Sequence, residues 1–183
     1  MEVGGAEMGV PLTHGLSLLT MSSATTSQQE LPLHVLLSSQ LLGVSIKVVV
    51  NSSPYTKKGM VVTIATVNEK PCIMYKHYNT STTLDPSWVS PKYPNAKRDN
   101  GLLVVIKGEH SGKYVRRIHH RSGNGKDFVH LAVVKRVEGS SDVLSGEQFE
   151  LGVDFLCLGN ETKEEKNRNE SLMKNLRENA RHR

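Results

Sequence analysis

Leu103-Val104-Val105-Ile106-Lys107-Gly108-Glu109-His110-Ser111-Gly112-Lys113-Tyr114-Val115 is the stretch whose reading decides the fold. An apolar strand runs into Gly108, a polar loop follows, and Gly112 closes it before a second strand begins. Glycine at both loop ends lets the backbone turn sharply and lets another backbone approach closely. Beyond Lys113, basic and apolar residues alternate. With a period of two, Val115 and Arg117 share one face and Tyr114, Arg116 and Ile118 the other. Basic groups with a nearby aromatic thus flank the loop.

The same rhythm extends in both directions. Downstream, Arg121-Ser122-Gly123-Asn124-Gly125-Lys126 is a hairpin turn, because Gly and Asn accept the positive φ such turns need. Phe128–Val137 is the next strand, followed by strands at Gln148–Leu151 and Phe155–Leu158. Upstream, strands are expected at Ser45–Val50, Met60–Val67 and Cys72–Tyr75, separated by Asn51-Ser52-Ser53-Pro54 and Asn68-Glu69-Lys70-Pro71. Pro86, Pro91 and Pro94 crowd a stretch that reads as a linker or a tight crossing. Both sets end alike: Leu84-Asp85-Pro86-Ser87-Trp88-Val89 matches Leu151-Gly152-Val153-Asp154-Phe155-Leu156 in its spacing of leucine, aromatic and aliphatic. A single 3₁₀ turn before a last strand fits that spacing. Short strands with Gly- and Pro-rich turns point to small barrels rather than βαβ units.

The stretch from Val104 to Val115 resembles the KOW motif, found in a ribosomal large-subunit protein and in transcription elongation factors of the NusG family. Val104, Ile106, Gly108 and Gly112 match its aliphatic and first two glycine positions; Val115 stands where the third glycine belongs. The resemblance covers about a third of the chain, residues 100–160. It implies an SH3-like small β-barrel that contacts RNA, DNA or a protein through its loops and one face. The domain that gives NusG-family proteins their polymerase contact is not recognisable. The expected architecture is therefore mainly β, with a disordered tail over 1–40 and a degenerate SH3-like, KOW-like module over 41–92. A KOW-like SH3-like barrel over 93–160 and a charged helical tail over 161–183 complete it.

That terminal segment opens on Thr162-Lys163-Glu164-Glu165, a capping box, but carries few apolar residues, among them Leu172, Met173, Leu176 and Ala180. It reads as a solvated, fraying helix. A chain of 183 residues that is 37 % apolar supports a modest core, and no apolar run reaches the roughly 20 residues a membrane helix needs. Before Leu16 the only charged side chains are Glu2 and Glu7, so no secretory signal is expected. Cys72 and Cys157 read as reduced core residues of an intracellular protein, nuclear or cytoplasmic.

Charge carries the functional reading. Net charge is +5, but the span from Lys92 to Arg136 holds eleven Lys/Arg against three acids. A concentrated cationic stretch suggests a polyanionic partner. No phosphate-binding Gly-x-x-x-x-Gly-Lys-Ser/Thr loop is present, and His119-His120 point to opposite faces of a strand. No enzyme activity, metal or cofactor is expected. The expected function is a nucleic-acid-binding KOW-domain protein, serving transcription elongation or ribonucleoprotein assembly. Lys107, Lys113, Arg116, Arg117, Arg121 and Lys126 would hold phosphates, Gly108 and Gly112 would shape the loop, and Tyr114 and His110 would stack on bases. The alternative is an SH3-like module docking on a polymerase, ribosome or chromatin partner.

Overall fold

The computed structural model describes residues 34–51 and 57–181. The chain is mainly β. The first sheet contains β1 (Ser45–Val50), β2 (Lys57–Val67), β3 (Lys70–His77), β4 (Thr80–Leu84) and β5 (Val89–Pro91), in the order β4-β3-β2-β1-β5. The second contains β6 (Leu102–Val105), β7 (Tyr114–Gly123), β8 (Lys126–Lys135), β9 (Val143–Gly152) and β10 (Leu156–Leu158), in the order β9-β8-β7-β6-β10. All pairings are antiparallel.

The two sheets repeat one plan. Four strands follow one another as a meander, a 3₁₀ turn intervenes, and a short fifth strand returns to pair with the first. The turns are Pro86–Trp88 and Val153–Phe155, where the matched spacings place them. Asp85 caps the first through Ser87, and proline opens it, where its missing N–H has no helical partner to lose. The proline-crowded segment is thus a capped turn and an edge strand rather than a linker from Pro86 onward. Among the hairpins, Asn124 and Gly125 adopt φ of 51° and 72°, so β7 and β8 run to the tip of a two-residue turn.

Strand β6 explains why the two sheets pack as one body. All four of its residues are buried. Val104, with Ile106 and Cys157, joins a core containing Leu36, Leu41, Ile46, Val48, Ile64, Ile73 and Leu84 from the first half. Leu103 and Val105 face the other way, into a core with Val115, Val129, Leu131 and Leu156. A strand buried on both faces needs an unbroken apolar run, and Leu102-Leu103-Val104-Val105 supplies it. Backbone bonds reinforce the contact: Asn160 N–H donates to Ser45 O and Leu158 N–H to Lys92 O.

The expected disordered tail lies outside the described residues over 1–33, but residues 34–40 correct it. Val35–Leu37 and Ser39–Leu41 are 3₁₀ turns, with Leu36 and Leu41 fully buried. His34 fastens them: its ring accepts from Leu36 N–H and bonds the Val89 carbonyl at 3.0 Å. Burying a leucine side chain yields about 1.5–3 kcal/mol, so Leu36 and Leu41 together offset part of the entropy cost of ordering the segment.

The terminal helices also depart from expectation. Thr162 and Glu165 form the capping box of α1 (Lys163–Arg168), and α2 (Glu170–Arg181) follows a break at Asn169. Far from fraying, α2 docks Met173 and Leu176 on Ile118 and Ala132 of the second sheet. No helix among the described residues is long and apolar enough to cross a membrane.

Candidate interaction site

The loop between β6 and β7 is shaped by its two glycines. Gly108 and Gly112 have φ of +79° and +86°, a left-handed backbone that costs other residues energy. Gly112 N–H returns to Val105 O, and Ser111 N–H to Gly108 O. A Cβ on Gly112 would lie 2.2 Å from the Gln40 carbonyl oxygen, so the close backbone approach is with the second 3₁₀ turn. These glycines seat the loop on the rest of the molecule.

The basic residues beyond the loop are not free. Arg116 is 2 % exposed; its Nε and Nη2 donate to Asp142 at 2.8 and 2.6 Å, and Nη2 also reaches Glu161 at 2.5 Å. Glu161 in turn accepts Leu102 N–H, and Asn169 accepts Asp142 N–H. Arg116 therefore ties together β6, β7, the β8–β9 loop and the start of the helical segment. Arg117, also buried, donates to the Ala96 carbonyl and to Asn100. Burial lowers its pKa first, the charge of Arg177 lowers it further, and Asp99 opposes both. The expectation that Arg116 and Arg117 hold phosphates is thereby corrected. Both faces of β7 are covered, one by the helical segment and β8–β9 loop, the other by residues 96–100.

Other expected site residues are engaged but remain near the surface. Lys113 bonds Glu147 at 2.6 Å. His110 lies parallel to Phe149, ring centroids 3.9 Å apart, and contacts Glu109 and Glu147 as well. Tyr114 is half-buried beneath the Arg136 guanidinium at 5.6 Å. Each ring thus has one face occupied, His110 by Phe149 and Tyr114 by Arg136. Arg121 pairs with Glu150 at 2.6 Å in the open; this hydrogen bond raises the arginine and lowers the carboxylate from their usual values.

Three of the expected cations, however, meet around one feature. A cleft of about 440 Å³ lies between the β7–β8 turn and the Val153–Phe155 turn, lined by Gly125–Phe128 and Gly152–Phe155. Lys126 lines it directly, Lys107 lies over the Phe155 ring at 5.9 Å, and Arg121 over the Phe128 ring at 5.5 Å. Arg121 is paired with Glu150, and Asp127 and Asp154 line the cleft, Asp127 accepting from the Ser122 hydroxyl. The cleft and the side chains against its two phenylalanines thus bring together three cations and three carboxylates. Sequence reading missed Phe128, Asp127, Asp154 and Phe155 as site residues; the matched 3₁₀ spacing was the signal that located Phe155. Compared with protein-family models and with curated proteins, the chain matches none.

Proposed function

We propose that the chain is a non-enzymatic interaction module of two SH3-like units, the second of which holds an extended segment of a protein partner in the Phe128–Phe155 cleft. The SH3-like reading rests on the repeated strand order and on the 3₁₀ turn before each returning strand. The observation that carries the function is the cleft itself: two phenylalanines between loop ends, with as many carboxylates as cations around them. A polyanion gains little from a balanced rim. A proline- or aliphatic-rich segment in extended conformation gains apolar contact with the rings, and its ordering cost is low when polyproline II is already favoured. A cleft this size accommodates a few side chains. The partner class that the KOW resemblance suggests is a polymerase, ribosomal or chromatin protein.

One observation keeps nucleic acid as a second reading. The Lys113–Glu147 and Arg121–Glu150 pairs are partly exposed, and solvent screens such pairs so that each contributes little. A phosphate can therefore take either cation from its carboxylate, joined by Lys107 and Lys126. Arg116 and Arg117 drop out of that interface.

An array of short peptides of varied composition, probed with the labelled chain beside immobilised single-stranded RNA and DNA, separates the readings. Retention on proline- or aliphatic-rich peptides, lost on Phe128→Ala with Phe155→Ala, supports the peptide cleft. Salt-sensitive retention on RNA or DNA, unchanged by that double variant and lost on Arg121→Glu with Lys126→Glu, overturns it in favour of the second reading.

A further inference from the structure

The two sheets have four edge strands among the described residues: β4, β5, β9 and β10. Three of them are blunted or taken. β5 is three residues long and ends in Pro91; β10 is as short, and its Leu158 N–H donates to the Lys92 carbonyl just after β5. β9 is long, but it carries Glu147 and Glu150, and its pairing with β8 slips where Gly146 takes a φ of 87°. Proline, charges, bulges and extreme shortness keep an edge from accepting another strand. β4 departs from all three. Thr80-Ser81-Thr82-Thr83-Leu84 holds no charge and no proline, pairs with β3 in unbroken register, and has its first four residues exposed. Among the described residues no backbone hydrogen bond reaches its outer side.

The tip of the β3–β4 hairpin is unusual as well. Tyr78 is 86 % exposed and has a φ of 51°, a left-handed backbone that is costly for a bulky residue. Its ring meets that of His77 edge-on, centroids 4.3 Å apart. Asparagine or glycine would adopt this backbone with less strain, so an outward-facing ring is kept here against local preference.

We infer that β4 is a self-association edge, on which a second copy of this chain adds its own β4 antiparallel across a two-fold axis at Thr82. The strand is self-complementary in that register. Thr82 meets the partner's Thr82, Ser81 the partner's Thr83 and Thr80 the partner's Leu84, so hydroxyls face hydroxyls and no like charges are opposed. A charged strand would find no counter-charge on β4. The same axis sets each Tyr78 tip against the partner's Asp85–Trp88 turn, where Pro86 and the 37 % exposed Trp88 offer apolar surface. Such a contact is isologous and closes at two copies. Five residues bury less than the roughly 800 Å² per partner of a standard interface, so the dimer is weak and concentration-dependent. It does not depend on how the Phe128–Phe155 cleft is used.

Sedimentation velocity of the full chain at rising concentration tests the inference, with amide hydrogen exchange followed in parallel. Monomer is expected near about 10 µM and mostly dimer near about 1 mM. Alternate N–H groups of Thr80–Leu84 should gain protection as the dimer forms. Thr82→Lys sets two ammonium groups against each other across the axis. It should weaken the dimer about fivefold or more and leave the melting temperature of the dilute monomer unchanged. The same lysine at exposed Thr66 of β2, away from the edge, should leave association as it was. Tyr78→Asn should weaken the dimer yet raise the melting temperature in dilute solution, because it relieves the left-handed backbone. A tyrosine that served the hairpin alone would lower it. Monomer at every concentration overturns the inference: protected β4 amides would then mean that another segment of the chain holds the edge, and exchanging ones that it suits a different protein. A dimer indifferent to Thr82→Lys overturns it too.

Discussion

Replacing Arg116 by methionine removes one side chain and strands two. Asp142 and Glu161 have side chains only 4 % and 6 % exposed, and Arg116 is the cation that both contact. Removing one member of a buried ion cluster costs about 3–5 kcal/mol, because the charges left behind are desolvated and unmatched. With a urea m-value of roughly 2 kcal/mol per molar for a domain of this size, the unfolding midpoint should fall by about 1.5–2.5 M. Arg121→Met supplies the comparison: its pair with Glu150 is largely in solvent and screened there, so it should shift the midpoint far less than Arg116→Met. A triple variant, Arg116→Met with Asp142→Leu and Glu161→Gln, should recover most of the loss. It removes both stranded charges and leaves an acceptor for Leu102 N–H. Equilibrium urea unfolding followed by circular dichroism measures all three. If Arg116→Met costs no more than Arg121→Met, Arg116 is not an internal strut and the burial argument fails.

Three other perturbations follow from the same structure. Gly112→Ala should destabilise far more than Gly108→Ala in thermal melts. Both pay roughly 1–2 kcal/mol for a left-handed backbone, but only Gly112 places a Cβ against the Gln40 carbonyl, while Gly108 leaves 3.8 Å to Phe155. Burial pushes the Cys157 thiol up to about 12, so at pH 8 iodoacetamide should modify the partly exposed Cys72 in the native chain and reach Cys157 only after denaturation. Mass spectrometry would count the additions. The Thr162 backbone N–H, ahead of the Arg136 charge, lowers Glu165 below its usual 4.5. A carboxylate lowered in the folded state contributes fully above its unfolded value, and that contribution fades as pH falls through the folded one. Glu165→Ala should therefore cost about 1 kcal/mol near neutrality, and progressively less as the pH drops below the usual carboxylate range.

Much of the fold was legible because local signals agreed with it. Ser45–Val50 is a strand from end to end, the Asn124-Gly125 turn lies where its residue types require, and the Leu84 and Leu151 spacings both lead into 3₁₀ turns. Order at residues 34–41 was not legible: it depends on the His34 ring reaching Val89, 55 positions away, and no local pattern encodes that. Docking of α2 was missed for a similar reason, since its few apolar residues suffice only because Ile118 and Ala132 are there to receive them. The basic stripe misled most. Alternation along β7 correctly assigns Arg116 and Arg117 to opposite faces, yet says nothing of what covers each face. Asp142 and Glu161 come from 26 and 45 residues downstream, and only the closed tertiary structure turns cations that look free into a cross-brace.

The account stands most directly on where a ligand lands. Nitrogen–proton correlation spectra of the full chain, recorded while adding the peptide that the array retains best, should show shifts concentrated at Gly125–Phe128 and Gly152–Phe155. The arginine side-chain signals of Arg116 and Arg117 should stay in place. Shifts centred on those two guanidiniums, or confined to the first sheet, would contradict it.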